Sequence, residues 1–302
     1  MKTILITGAH SLLGSALLQT ISTVNYRVIT TWHNQKTVSS SKNANAIYLD
    51  ITDPVSTSEA FKKFKPQIII HAAAVSDVDY CENHKKEAIR INVKGTKNIL
   101  NECQRFDTKI IFISTNAVFD GTKAPYREND VTNPTVFYGK TKWKGEMLIK
   151  HSTLPFAIVR LSTMYGWQPE GARLNPATWI LHMLTQGKKL HMVDDRFINP
   201  LFNLSAAEAI AKIISSEHKG IFHIAGKNRV SRFELAREIA SVFKLPISRI
   251  VSVKSSFFPN LTIRPVDPSL STQKMEKYLG LIPLSLSEGL VKMKMEKSIS
   301  LE

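Results

Sequence analysis

Tyr138 stands four residues ahead of Lys142, downstream of the hydroxyl pair Ser114-Thr115. Such a set can orient and protonate a carbonyl while a hydride reaches its carbon. Residues four apart share one face of a helix, so the Lys142 ammonium can lie beside the Tyr138 phenol and favour its phenolate. An isolated Tyr-x-x-x-Lys is a weak signal, because helices carry both residues for packing and solubility. Context strengthens it. The run Lys109-Ile110-Ile111-Phe112-Ile113 is apolar without alternation, as a buried parallel strand would be, and it delivers Ser114 and Thr115 to its carboxyl end. Open α/β sheets bind ligands at that edge. Asn133-Pro134 offers a capping side chain and a proline preset for the first helical position. This places Tyr138 and Lys142 in the early turns of a helix. Thr115, Tyr138 and Lys142 are the candidate catalytic residues.

The elements that must position them follow a regular plan. Strand-like runs at 3–6, 26–30, 46–49, 67–71, 109–113 and 156–160 alternate with helical segments, the pattern of a doubly wound parallel sheet. Asp53-Pro54 marks one helix start, and residues 84–105 carry Ala88, Ile91, Ile99 and Leu100 at near-helical spacing. The long stretch 115–133, rich in Asn, Asp, Gly and Pro, separates the hydroxyl from the tyrosine, and long loops in compact domains are usually functional. After about residue 161 the rhythm changes. Residues 1–160 are expected to form a dinucleotide-binding domain and 161–302 a mostly helical substrate-binding region. Ser231-Arg232-Phe233-Glu234 and Ser285-Leu286-Ser287-Glu288 match capping boxes in that second part.

The bulk composition narrows the class. A chain of 302 residues with 43% hydrophobic and 22% charged residues matches neither disorder nor a membrane protein, and no apolar run nears the ~18 residues of a membrane span. The opening Met1-Lys2-Thr3-Ile4-Leu5-Ile6-Thr7 is read as a first strand rather than a leader, since Gly8, His10 and Ser11 interrupt it. Cys81 and Cys103 are the two cysteines, without metal or disulfide spacing. A reducing cytoplasm and no metal are expected. The net charge of +15 attracts anions. The lysines and arginines are spread without aromatic interleaving, so no specific nucleic acid and no membrane partner is expected.

Thr7-Gly8-Ala9-His10-Ser11-Leu12-Leu13-Gly14 follows the first strand and opens a helix, where backbone N–H groups would meet a pyrophosphate. Gly8 allows the tight turn and Gly14 allows close helix packing. The expected middle glycine is Ser11, whose hydroxyl can donate a hydrogen bond. The second strand ends in Trp32-His33-Asn34-Gln35-Lys36 with no carboxylate for a ribose 2′-hydroxyl. His33 and Lys36 suit a 2′-phosphate instead, which favours NADP(H) over NAD(H).

These segments, with Asp50-Ile51-Thr52-Asp53, His71-Ala72-Ala73-Ala74, Asn92-Val93-Lys94-Gly95-Thr96, Ser114-Thr115-Asn116-Ala117-Val118-Phe119-Asp120-Gly121 and the Tyr138/Lys142 pair, resemble the extended short-chain dehydrogenase/reductases. The nearest likeness is to the dTDP-4-dehydrorhamnose reductase (RmlD-like) family, and it continues through Arg160, Tyr165-Gly166, Gly220 to Gly226 and Arg264-Pro265. The resemblance implies a Rossmann-type α/β fold. It also implies that Ser11, Leu12, Leu13, Asp50, Ile51, Ala72, Ala73 and Ala74 line the dinucleotide and that Lys142 holds the nicotinamide ribose, which adds to Gly8, Gly14 and His33 from the turn and the second strand and to Tyr138 from the helix as cofactor-binding candidates. Thr115, Asn116 and Thr163 would meet a nucleotide-sugar substrate, and a homodimer is one expected assembly. The family commonly has Asp where Asn116 stands and an aromatic ring where Thr163 stands.

The implied activity is NADPH-dependent reduction of a nucleotide-linked 4-keto-6-deoxy sugar, with Tyr138 as proton donor. Dehydration would need a carboxylate pair after the hydroxyl, which Asn116-Ala117 does not supply. Epimerisation uses the same Tyr and Lys and stays open. So does a non-catalytic NADP-binding regulatory subunit resembling the methionine adenosyltransferase β subunit.

Overall fold

The computed structural model describes residues 1–21, 23–33 and 45–299; Lys36 lies outside them. In chain order the first elements are β1 (Lys2–Thr7), α1 (Leu12–Thr20), β2 (Tyr26–Trp32), β3 (Asn45–Tyr48), α2 (Pro54–Phe64), β4 (Ile68–His71), α3 (Val78–Asn83) and α4 (Lys85–Ile89). A π-helical turn at Arg90–Gly95 leads into α5 (Thr96–Phe106), then β5 (Lys109–Thr115), α6 (Phe137–Lys150) and β6 (Phe156–Leu161). All six strand runs read from the sequence are strands. The helix expected across 84–105 forms with the π turn at its middle.

The sheet has seven strands in the order β11-β6-β5-β4-β1-β2-β3, with β11 at Gly220–Ile224. Every neighbouring pair is parallel. The order reverses between β1 and β4, which makes the crevice at their carboxyl ends the topological switch point of a Rossmann-type sheet. Side chains alternate across it as the pleat requires. Ile4, Ile6, Ile111, Ile113 and Val159 face one core, while Leu5, Ile69, Ile110, Phe112 and Ile158 face the other, with Phe61, Ile99 and Ile149 from α2, α5 and α6.

The chain beyond 161 contributes β7 (Met164–Tyr165), α7 (Pro176–Thr185), β8 (Leu190–Val193), β9 (Phe197–Ile198), β10 (Leu201–Phe202) and α8 (Asn203–Ser215). After β11 come β12 (Val230–Ser231), α9 (Arg232–Val242), β13 (Ile250–Val253), α10 (Gln273–Leu279) and α11 (Leu286–Ile299). A separate core forms there from α7, α9 and α11 around Ile180, Leu184, Leu235, Ile239, Leu290 and Met293. The chain does not stay apart from the sheet after 161. Strand β11 joins its edge, and Ala206, Ile210 and Ile213 of α8 pack with Leu13 and Leu17 of α1. The capping box at Ser231 and Glu234 forms as expected, each side chain meeting the other's backbone N–H. Among the described residues no helix is long and apolar enough to cross a membrane.

Candidate active site

The turn between β1 and α1 is held open by small residues and a relay of side chains. Gly8 has φ +74, where a side chain is strained, and an added Cβ would stand 2.9 Å from the Ala73 nitrogen. A Cβ on Gly14 would press to 2.4 Å on the carbonyl oxygens of Gly8 and Ala9. Thr7 Oγ1 accepts from the Ala72 and Ala73 N–H groups at 3.2 Å each and meets His71 Nδ1 at 2.8 Å. The other ring nitrogen of His71 lies 3.1 Å from Thr96 Oγ1. Ala72, Ala73 and Ala74 are half-buried and lie outside any helix or strand, directly past the end of β4. Alanines so placed leave room above the switch point.

Ser11 is the N-cap of α1, its hydroxyl oxygen accepting from Gly14 N–H at 3.1 Å. The first-turn N–H groups of a helix have no intrahelical acceptor, and this cap takes only Gly14's. The cap leaves those of Leu12 and Leu13, and the first turn carries no acidic residue to repel an anion. The Leu13 side chain itself is in the core. These features fit a pyrophosphate. Asp50 Oδ1 accepts from both the backbone and the hydroxyl of Thr52 at 2.8 Å. Burial works to raise the Asp50 carboxyl, but those bonds and the nearby charges of His33 and Arg90 hold it below its ordinary range. Ile51 is buried, its carbonyl accepting from Asn98 at 3.0 Å. His33 is exposed and stacks on Tyr48 at 5.9 Å.

The reacting residues converge from β5 and α6. Thr115 ends β5, its side chain near enough to the Tyr138 phenol to pull its pKa down. Thr115 Oγ1 also accepts from Ala117 N–H at 3.1 Å and gives its proton to Asn116 Oδ1 in a long contact of 3.4 Å. Helix α6 begins at Phe137, not at Asn133-Pro134, because the Glu82 carboxylate of α3 accepts from Phe137 N–H at 2.7 Å. Asn133 instead donates to Asp120 at 3.0 Å. Tyr138 is thus the second helical residue, half-buried, with buried Lys142 one turn on.

The electrostatics differ from the expectation that Lys142 lowers the tyrosine. Burial pushes the Tyr138 phenol up to about 12, and the Thr115 hydrogen bond is what pulls it back. Burial also pushes Lys142 down to about 7 against the attraction of Glu146. The ammonium stands 3.9 Å over the Phe112 ring, a favourable face for a desolvated cation.

Behind α6 lies a buried network that residue spacing did not announce. Arg160 holds Glu146 with two bonds, Nε to Oε1 at 2.9 Å and Nη2 to Oε2 at 2.7 Å, and Ser114 donates to Oε1 at 2.6 Å. Ser114 is therefore a brace for α6. Arg160 reaches His223 of β11 at 3.3 Å, and His223 meets the Tyr126 carbonyl at 3.0 Å. Asn92, on the π turn, accepts from Val75 N–H at 2.8 Å and donates to Thr141 at 3.0 Å. Its only sequence signal was membership of a quoted motif. Thr163 follows β6, half-buried, with its carbonyl accepting from Leu201 N–H at 2.9 Å.

The family model described as the RmlD substrate binding domain matches residues 1–298. The spore coat polysaccharide biosynthesis protein SpsK of Bacillus subtilis (strain 168) is 30% identical over 299 residues, 99% of each chain. Methionine adenosyltransferase 2 subunit beta of Xenopus tropicalis is 28% identical across 90% of this chain and 81% of its own. Among solved structures, dTDP-4-dehydrorhamnose reductase from Bacillus anthracis in complex with NADP superposes with a TM-score of 0.87 at 26% identity, covering 98% of this chain and 100% of that one.

Proposed function

The chain belongs to the family of the RmlD substrate binding domain, and from that premise we propose that it is an NADPH-dependent reductase of a nucleotide-linked 4-keto-6-deoxy sugar. One arrangement carries the reading: Thr115 at the end of β5 stands close enough to the Tyr138 phenol to lower its pKa, with Lys142 one helical turn along α6. A regulatory subunit that only binds a dinucleotide needs no proton donor in that position.

In this reading Gly8, Ser11, Leu12, Leu13 and Gly14 hold the pyrophosphate, Asp50, Ile51 and Ala72 to Ala74 line the adenosine side, and His33 faces the 2′-phosphate. The bound nicotinamide supplies the hydride. Tyr138, protonated at neutral pH because burial holds its phenol near 12, gives its proton to the carbonyl oxygen as that oxygen becomes an alkoxide. Thr115 turns its hydroxyl from the long Asn116 contact to the same oxygen, and one such preorganised donor is worth ~3 kcal/mol in a transition state. A charged Lys142 then stabilises the phenolate left behind and holds the cofactor ribose. Residues beyond about 161 close over the sugar, with Thr163 on that side and no ring to stack.

The test is incubation with NADPH and a dTDP-linked 4-keto-6-deoxyhexose, followed by mass analysis of the sugar. A gain of two hydrogens with matching NADPH loss is expected. The relatives named methionine adenosyltransferase 2 subunit beta favour a second reading, a cofactor-binding regulatory subunit. Tight NADPH binding with an unchanged ketosugar supports that one. Interconversion of hydroxyl epimers without NADPH loss identifies an epimerase.

A further inference from the structure

The short helix α3 is held from two directions. Two loops of the chain beyond 161 reach its first residues. Asp77, its N-cap, pairs with Arg173 at 2.9 Å. Asp79 takes both arms of the Arg264 guanidinium, Nη1 on Oδ1 at 3.0 Å and Nη2 on Oδ2 at 2.6 Å, and its Oδ1 also accepts from Thr262 N–H at 3.0 Å. Further along α3, Glu82 accepts from Phe137 N–H at 2.7 Å, at the residue before Tyr138. Residues three apart on a helix are neighbours on its surface. Less than one turn of α3 therefore separates the anchor of a distant loop from the anchor of the tyrosine.

Each side of this joint depends on it. The segment 254–266 that carries Thr262 and Arg264 has no buried residue, and Phe257, Leu261 and Ile263 are exposed. A segment without buried apolar contacts has little local stability of its own, so its polar contacts decide where it lies. Its ends are fastened to the chain beyond 161, Ser255 N–H to Asp195 at 3.0 Å and the Val266 carbonyl to Phe197 N–H at 2.8 Å. Among the described residues, its hydrogen bonds to the chain before 161 go to Asp79. On the other side, the first N–H groups of a helix lack intrahelical acceptors, a carboxylate is favoured beside them, and Val136 at the N-cap of α6 offers no side-chain bond. Glu82 fills that place, and Lys85 closes the corner, 3.6 Å from Glu82 and 5.5 Å over the Phe137 ring.

We propose that Glu82 is a positioning residue for Tyr138, and that α3 carries the hold on the 254–266 segment, taken at Asp79, to the start of α6. Release of Arg264 and Thr262 frees α3 to turn, and the Glu82 cap moves with it. The effect on turnover rests on the reductase reading, in which Tyr138 gives the proton; the mechanical link does not.

Two readouts keep the ideas apart. The first is fluorine NMR of protein carrying fluorotyrosine, with the Tyr138 signal assigned by its loss in Tyr138→Phe and the Tyr165 signal, from the other core, as a control for folding. Glu82→Ala should shift the Tyr138 signal, Asp79→Ala should shift it the same way, and the double variant should match Glu82→Ala alone. Glu82→Gln keeps an acceptor oxygen and should return the signal towards the parent's. The second readout is kinetics with NADPH and a dTDP-linked 4-keto-6-deoxyhexose. Glu82→Ala should lower kcat on the order of tenfold or more with KM near the parent's, and adding Asp79→Ala should lower kcat no further. A Tyr138 signal unmoved by Asp79→Ala, or a double variant whose kcat loss is the product of the two single losses, would overturn the proposal and leave the reductase reading standing. A parent that reduces no ketosugar sinks that reading, while the fluorine signal still decides the link.

Discussion

Lys142 is the residue where the chemistry of the site and the stability of the fold pull in opposite directions. Its pKa falls from 10.5 to about 7 because the side chain is 2% exposed and desolvated. Between about 7 and 10.5 the unfolded chain therefore holds a proton that the folded chain does not, and stability rises as pH rises through that window. Lys142→Met should remove this dependence and raise the melting temperature at pH 7. A gain of ~1 kcal/mol corresponds to roughly 2–4 °C in a chain somewhat smaller than this one. Turnover should be lost in the same variant. Thermal melts at pH 7 and 9 check the stability half, and a variant less stable than its parent at pH 7 contradicts it. The pairing of Tyr138 and Lys142 was legible in their spacing. What sets their proton affinities was not, since burial and the Thr115 bond arise only when β5 and α6 meet.

At the scale of elements, the start of α6 decides whether Tyr138 reaches Thr115. A Cβ on Gly139 would stand 2.1 Å from the Ala117 carbonyl oxygen, which is backbone and cannot rotate aside. Gly139→Ala should push α6 off the Asn116–Val118 turn and separate the two hydroxyls. A displacement near 1 Å can cost on the order of a hundredfold in rate. The variant should show that loss in kcat while still binding NADPH, and unchanged kcat would contradict the account. By contrast Ser231→Ala, which removes the N-cap of α9 far from the chemistry, should cost about 1 kcal/mol of stability and leave kcat alone.

Element types were legible in the apolar runs, because a strand buried on both faces needs no other signal. The start of α6 was not, for its cap is Glu82, 55 residues earlier in the chain. Nor was the return of β11 to the sheet, which depends on α8 packing against α1. The Glu146–Arg160–His223 network joins α6, β6 and β11, and no local pattern marks a brace assembled from three distant elements.

Across the whole molecule, two buried histidines link acidity to unfolding. Burial pushes His71 and His223 down to about 3, with Lys142 and Arg160 as like-charged neighbours respectively. Both are neutral when folded. Below pH 6.5 the unfolded chain takes up protons that the folded chain refuses, so stability should fall between 6.5 and about 3. Each histidine adds up to roughly 1.4 kcal/mol per pH unit in that window. Urea midpoints measured from pH 7 to 4 should decline, and His223→Gln should decline less steeply. A flat profile contradicts the assignment. The same global view bears on cofactor choice: a net charge of +15 and the absence of a carboxylate at the end of β2 favour the extra phosphate. NADPH should bind several-fold more tightly than NADH, by an amount that shrinks with added salt. Equal affinities by titration would show that the 2′-phosphate is not read.

The most direct measurement follows one hydrogen. NADPH carrying deuterium at its transferable position is mixed with a dTDP-linked 4-keto-6-deoxyhexose, the parent protein or Tyr138→Phe, and the sugar product is examined by NMR. The account predicts deuterium at C4 of the sugar with the parent, and its near-total absence with Tyr138→Phe, which should still bind NADPH as tightly as the parent. A sugar free of deuterium with the parent, or one labelled within a few-fold of the parent's rate by Tyr138→Phe, would contradict it.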